Sequence, residues 1–108
     1  MKLKNNFNQY KKSIDSVLSN VTEDQLKQTI SIIKKTIKNN GKVYLVGNGG
    51  SSSIASHVSV DFAKVANVPS STFNNANLIT CFSNDYGYEN WVTEAIKAYS
   101  SNKDMFIL

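Results

Sequence analysis

The segment Val43–Asp61, VYLVGNGGSSSIASHVSVD, constrains this chain more than any other. Four apolar residues, Val43–Val46, run straight into Gly47-Asn48-Gly49-Gly50, and a helical pattern begins at about Ser51. An apolar strand, a glycine turn and a helix are the opening of a βα unit. Such units build parallel sheets that helices cover on both faces. The turn also carries chemistry. The first N–H groups of a helix lack intrahelical acceptors, and the helix dipole makes that end partly positive. The turn is therefore a ready cradle for an anionic or polyhydroxyl ligand. His57 and Asp61, four residues apart, share one face of the same helix.

The flanking segments extend the same pattern. Leu3, Phe7, Tyr10, Ile14, Val17 and Val21 alternate at spacings of four and three, a strict stripe along a helix. Thr22 and Gln25 have the spacing of a capping box, and Leu26, Ile30, Ile33 and Ile37 continue the stripe on a second helix. Asn39-Asn40-Gly41 ends it. These two helices are expected to form a helical hairpin over residues 1–40, its stripe either buried within the hairpin or also packed on another subunit. On the helix after the glycine turn, Ile54, Val58, Phe62 and Val65 are the expected core stripe, with His57 and Asp61 at its edge. Ser71-Thr72-Phe73 reads as a second short strand. Leu78–Phe82 is too short an apolar run for periodicity to separate strand from helix. Asn84-Asp85-Tyr86-Gly87 reads as a turn, and a helix over about 88–99 turns Trp91, Ala95 and Ile96 inward.

Met105–Leu108 opens another buried strand, and the sequence stops there. Alternating helices and apolar strands imply an α/β fold, a doubly wound, flavodoxin-like parallel sheet with helices on both faces. Such sheets have about five strands and this chain supplies roughly three. Residues 41–108 therefore read as the N-terminal part of a larger domain. The alternative is a complete small domain that pairs its last strand with another subunit.

Composition narrows the function classes. With 108 residues the chain holds one domain at most. No run approaches the ~18 apolar residues of a membrane span, and the N-terminus lacks the apolar core of a secretory signal. The single Cys81 excludes an internal disulfide and accords with a reducing cytoplasm; it reads as a small buried hydrophobe rather than a catalytic thiol. The net charge is +4, carried by lysines dispersed along the helices, and the chain has no arginine. A nucleic-acid surface would cluster basic groups among aromatics, so no nucleic-acid partner is expected.

A glycine turn alone says little. A serine stands where the dinucleotide fingerprint needs its third glycine, and no lysine follows as in a nucleoside-triphosphate loop. The whole run GNGGSSSIASHVSVDF, followed by FSNDYGYENW, is more specific. Together they resemble the sugar isomerase (SIS) domain family, and closely its phosphoheptose isomerase branch, over nearly the whole chain. The resemblance implies isomerisation of D-sedoheptulose 7-phosphate to D-glycero-D-manno-heptose 7-phosphate, a ketose–aldose step in heptose biosynthesis for lipopolysaccharide or capsule. It implies that Asn48, Gly49, Gly50 and Ser51 contact the sugar, together with Asn84 and Asp85. It implies zinc held by His57 and Asp61, with Asp61 also touching substrate and acting as acid/base where the family usually has Glu. It makes Leu78–Phe82 helical and implies a cytoplasmic homotetramer, assembled through the N-terminal helices, with sites between subunits. The family's serine-rich phosphate loop and its remaining metal ligands would follow Leu108, so this chain alone is expected to be inactive. The alternative within the same resemblance is a non-catalytic SIS module that binds a sugar phosphate or a protein partner.

Overall fold

The computed structural model describes residues 2–108. The elements run α1(Lys2–Ser19), α2(Glu23–Lys38), β1(Val43–Leu45), α3(Gly50–Ala66), β2(Ser70–Thr72), α4(Ala76–Tyr86), α5(Trp91–Tyr99) and β3(Met105–Ile107). The chain divides into two units, residues 1–31 and 32–108.

The first unit is helical. α1 buries none of its residues, and its stripe of Leu3, Phe7, Tyr10, Ile14 and Val17 is open to solvent, as are Leu26 and Ile30 of α2. The capping box forms as the sequence predicts. The Thr22 N–H donates to Gln25 Oε1 at 2.9 Å, and the Gln25 N–H donates to Thr22 Oγ1 at 3.2 Å. Two otherwise orphaned donors at the start of α2 are thereby satisfied.

The second unit is built on a three-stranded, all-parallel sheet of order β2-β1-β3. Val43 pairs with Ser70 on one side and Met105 on the other. β1 is the central strand, and alternate side chains enter opposite cores. Val43 and Leu45 pack with Ala55 and Val68, and with Ile33, Ile37, Val58 and Phe62 from α2 and α3. Tyr44 and Val46 pack with Phe73, Trp91 and Ala95, and with Leu78, Ile79, Phe82, Val92 and Ile96 from α4 and α5. The Tyr44 ring stacks on Phe73 and Phe106 at centroid distances of 4.9 and 5.4 Å, and its hydroxyl donates to the Tyr99 carbonyl at 2.9 Å. Burial, with the nearby Asp104 charge, pushes that hydroxyl's pKa up.

Helix α3 meets the sheet through a face other than the expected one. Ala55 and Ser59 are buried and Val58 and Phe62 flank them, whereas Ile54 and Val65 are 66% and 78% exposed. The small residues let the helix backbone come close to the sheet, and polar bonds fasten it there. Ser70 Oγ donates to the Ser59 carbonyl at 2.6 Å, and Asn74 Nδ2 to the Ser52 carbonyl and to Ser56 Oγ at 2.6 and 2.8 Å. Leu78–Phe82 is helical, because Asn75 caps α4: its side chain accepts from the Asn77 and Leu78 N–H groups. Asn84 and Asp85 belong to the last turn of that helix rather than to a free turn.

Asp104 joins the turn before β3 to the start of β1. Its carboxylate accepts from the Ser101 N–H and hydroxyl and, 62 residues away in sequence, from the Lys42 N–H at 2.7 Å. Burial opposes the charge. The Ser101 and Lys42 backbone bonds, the Ser101 hydroxyl and the Lys42 cation outweigh it and hold the pKa below the ordinary carboxylate range. A depressed folded-state pKa contributes stability above the unfolded pKa of about 3.9, and that contribution is lost as pH falls through the folded value. Asp104→Asn is expected to lower the melting temperature at pH 7, with the gap to wild type narrowing as pH is taken from about 5 toward 2. Thermal unfolding across that range checks this.

Candidate functional site

Topology places the candidate site. β1 leads through α3 to β2 on one side, and β2 leads through α4 and α5 to β3 on the other. α3 packs on the Val43/Leu45 face, while α4 and α5 pack on the Tyr44/Val46 face. The winding therefore reverses between β1 and β3. Open α/β sheets bind ligands outside the carboxyl ends of the strands at such a switch point. A cleft of about 490 Å³ lies there, lined by Val46, Gly47, Asn48 and Ser51 after β1, by Leu108 after β3, and by Tyr88, Glu89, Trp91 and Val92.

The glycines shape one wall. Gly49 caps α3 with φ 56° and ψ −123°, a conformation that an L side chain resists. Gly47 is required for a different reason: a Cβ there would overlap the backbone of Ser51 and Ser52. No side chain caps α3. The Ser51 and Ser52 N–H groups fold back onto the Asn48 and Gly49 carbonyls at 3.1 Å. The Asn48 side chain enters the cleft, where the Tyr88 hydroxyl donates to its Oδ1 at 2.9 Å. Glu89 is the charged member of the lining, which carries no lysine. Such a surface suits the neutral, hydroxylated part of a ligand better than a phosphate.

The remaining expected residues lie outside this cleft. His57 Nε2 and Asp61 Oδ2 are 3.3 Å apart, with side chains 80% and 52% exposed. With Ala55 and Ser59 against the sheet, the pair sits roughly 140–180° round the helix at about 100° per residue. It is on the far face of α3, not at the edge of the core stripe. Asn84 Nδ2 donates to Asp85 Oδ1 at 3.0 Å on an exposed turn of α4. Cys81 is exposed rather than buried, its Sγ 3.7 Å from Asp85 Oδ2. The expectation of bound zinc is corrected. Among the described residues, no three His, Cys, Asp or Glu side chains come together as a metal site. His57 and Asp61 form a two-residue pair, and a structural or catalytic zinc takes three or four protein ligands. The donors present do not fit the ion, and no step is assigned to it. Tyr88, Glu89 and Trp91 join Asn48 and Ser51 through tertiary contact. Their trace in the sequence is the motif that continues Asn84-Asp85 as YGYENW.

The SIS domain family model matches residues 9–108, and the chain belongs to the SIS domain family. Its similarity within the family lies with phosphoheptose isomerases. It is 30% identical over 105 residues to the phosphoheptose isomerase of Helicobacter pylori, covering 90% of this chain and 51% of the relative. It is 34% identical over 121 residues to phosphoheptose isomerase 2 of Campylobacter jejuni, covering 94% of this chain and 58% of the relative. The solved phosphoheptose isomerase of Neisseria gonorrhoeae shares the fold, with a TM-score of 0.82 over 98% of this chain and 59% of that one, at 18% identity. The chain thus spans about half the length of the curated relatives it matches. None of the described helices is long and apolar enough to cross a membrane.

The backbone demand at Gly49 is isolated by comparing it with its neighbour Gly50. Gly49→Ala meets no atom but must hold a positive φ, at a cost of about 1–3 kcal/mol. Gly50→Ala meets no atom and no positive φ, so it is expected to be neutral or slightly stabilising. Urea denaturation of the two variants against wild type measures the contrast.

Proposed function

We propose that the protein to which this chain belongs is a ketose–aldose isomerase acting on D-sedoheptulose 7-phosphate, and that residues 41–108 supply one wall of its site. The observation that carries the reading is the switch-point cleft, which carries no cation and offers Asn48, Ser51, Tyr88 and Glu89 as its polar groups, in a chain similar to phosphoheptose isomerases. Asn48 and Ser51, framed by Gly49 and Gly50, bind the sugar hydroxyls. The reaction moves a proton between adjacent carbons through an enediol, so it needs a carboxylate or imidazole within hydrogen-bond reach of those carbons. Asp61 is that carboxylate, and His57, 3.3 Å away, orients it. Asn84 and Asp85 provide further polar contacts to substrate.

In one copy of the chain these groups stand on separate surfaces, so the proposal requires sites shared between subunits. Two features support this. Ile54, Val60 and Val65 lie exposed on the same helix as the His57–Asp61 pair, and the stripe of α1 is also uncovered. Buried against another copy, such residues would contribute about 1.5–3 kcal/mol each. The separation of the pair from the cleft also supports a second reading, a non-catalytic SIS module that binds a sugar phosphate without turning it over.

Turnover of sedoheptulose 7-phosphate, followed by appearance of the aldose, decides between them. It should be measured for the 108-residue chain and for the longest reading frame that contains it. The longer protein is expected to be active, and Asp61→Asn to lower its kcat by about 10²–10⁴-fold, the usual contribution of a general acid or base. Binding without turnover favours the second reading; full activity of the Asp61 variant removes that residue from the chemistry.

A further inference from the structure

The Asn48 side chain has two unlike ends, a carbonyl that accepts and an NH2 that donates, and its terminal torsion is broad and nearly two-fold. A lone exposed asparagine therefore offers a ligand either end. Here one end is taken. The Tyr88 hydroxyl reaches Asn48 Oδ1 at 2.9 Å from 40 residues further along the chain. The bond spans the crevice, from the turn after β1 to the turn between α4 and α5. Gly87, with φ 88° and ψ 147°, lets the chain reverse just before Tyr88. Both residues line the cleft with Ser51 and Glu89.

We infer that Tyr88 is a positioning residue: by holding the Asn48 carbonyl it turns the Asn48 NH2 toward the hydroxyls of a sugar bound in the switch-point cleft. This rests on the sugar-phosphate reading above. The Tyr88 hydroxyl spends its single proton on Asn48, so as a donor it reaches the ligand only through that residue. A sugar hydroxyl is both donor and acceptor, and the Asn48 NH2 meets its oxygen as a donor. A flipped carboxamide would present its carbonyl instead and leave the hydroxyl oxygen without that donor.

Tyr88→Phe removes one oxygen and keeps the ring. In the active full-length protein it is expected to raise KM about threefold to tenfold, the value of one net hydrogen bond, with kcat nearly unchanged because the contact is shared by substrate and transition state. Asn48→Ala raises KM at least as far, and adding Tyr88→Phe to Asn48→Ala changes nothing more, because the two residues act as one. An unchanged KM in the tyrosine variant overturns the inference, as does a full effect that persists without Asn48. A protein that neither binds nor isomerises the sugar phosphate overturns the proposed function instead. The Asn48–Tyr88 coupling is then read in the free protein by NMR. The Asn48 side-chain NH2 signals are expected to shift in Tyr88→Phe, and signals that stay in place overturn it.

Discussion

Burial of β1 on both faces is the constraint on which the rest of the second unit depends. Val43, at 0% exposure, and Leu45 serve one core, and Tyr44 and Val46 serve the other. A strand buried on both sides has room for a polar side-chain group only where it finds a partner, as the Tyr44 hydroxyl does, and must satisfy its backbone groups through neighbouring strands. β2 and β3 do this in parallel register, and parallel neighbours require helical crossovers. Because β2 and β3 lie on opposite sides of β1, their crossovers lie on opposite faces, and the crevice at the end of β1 follows. The cleft is thus a by-product of how one strand is covered.

The glycine turn sits where that geometry leaves least room. Gly47 lets the start of α3 fold tightly over the end of β1, and Gly49 supplies a positive φ that starts the helix in the right direction. Together they deliver Asn48 to the crevice. Asp104 performs a comparable task at the other end of the sheet, holding the backbone of β1 and the turn before β3 with one carboxylate. Each is a local device whose purpose is visible only when elements distant in sequence meet.

The expected and observed faces of α3 differ for an instructive reason. Ranking residues by hydrophobicity picks Ile54 and Val65 for the core, yet Ala55 and Ser59 occupy it. Close approach of a helix to a sheet rewards small side chains, and the Ser59 carbonyl has a partner in Ser70. The rotation carries His57 and Asp61 to the far face, and it leaves an apolar surface there beside them. Leu78–Phe82 shows the converse. Its own pattern was ambiguous, and the Asn75 cap settled it as helix.

By itself the sequence determined the elements other than α4 and their order, the parallel α/β class, the capping box at Thr22, the glycine turn with Asn48 and Ser51, and membership of the family. These are written in local spacing, in turn chemistry and in motifs of consecutive residues, which need no tertiary contact to be read. The tertiary structure alone decided which face of α3 is buried and that His57 and Asp61 make a pair rather than a metal site. It also decided that Tyr88, 40 residues away, holds the side chain of Asn48. Those outcomes depend on how closely elements approach and on which groups remain to be satisfied when they do, and neither quantity is carried by any single stretch of the chain.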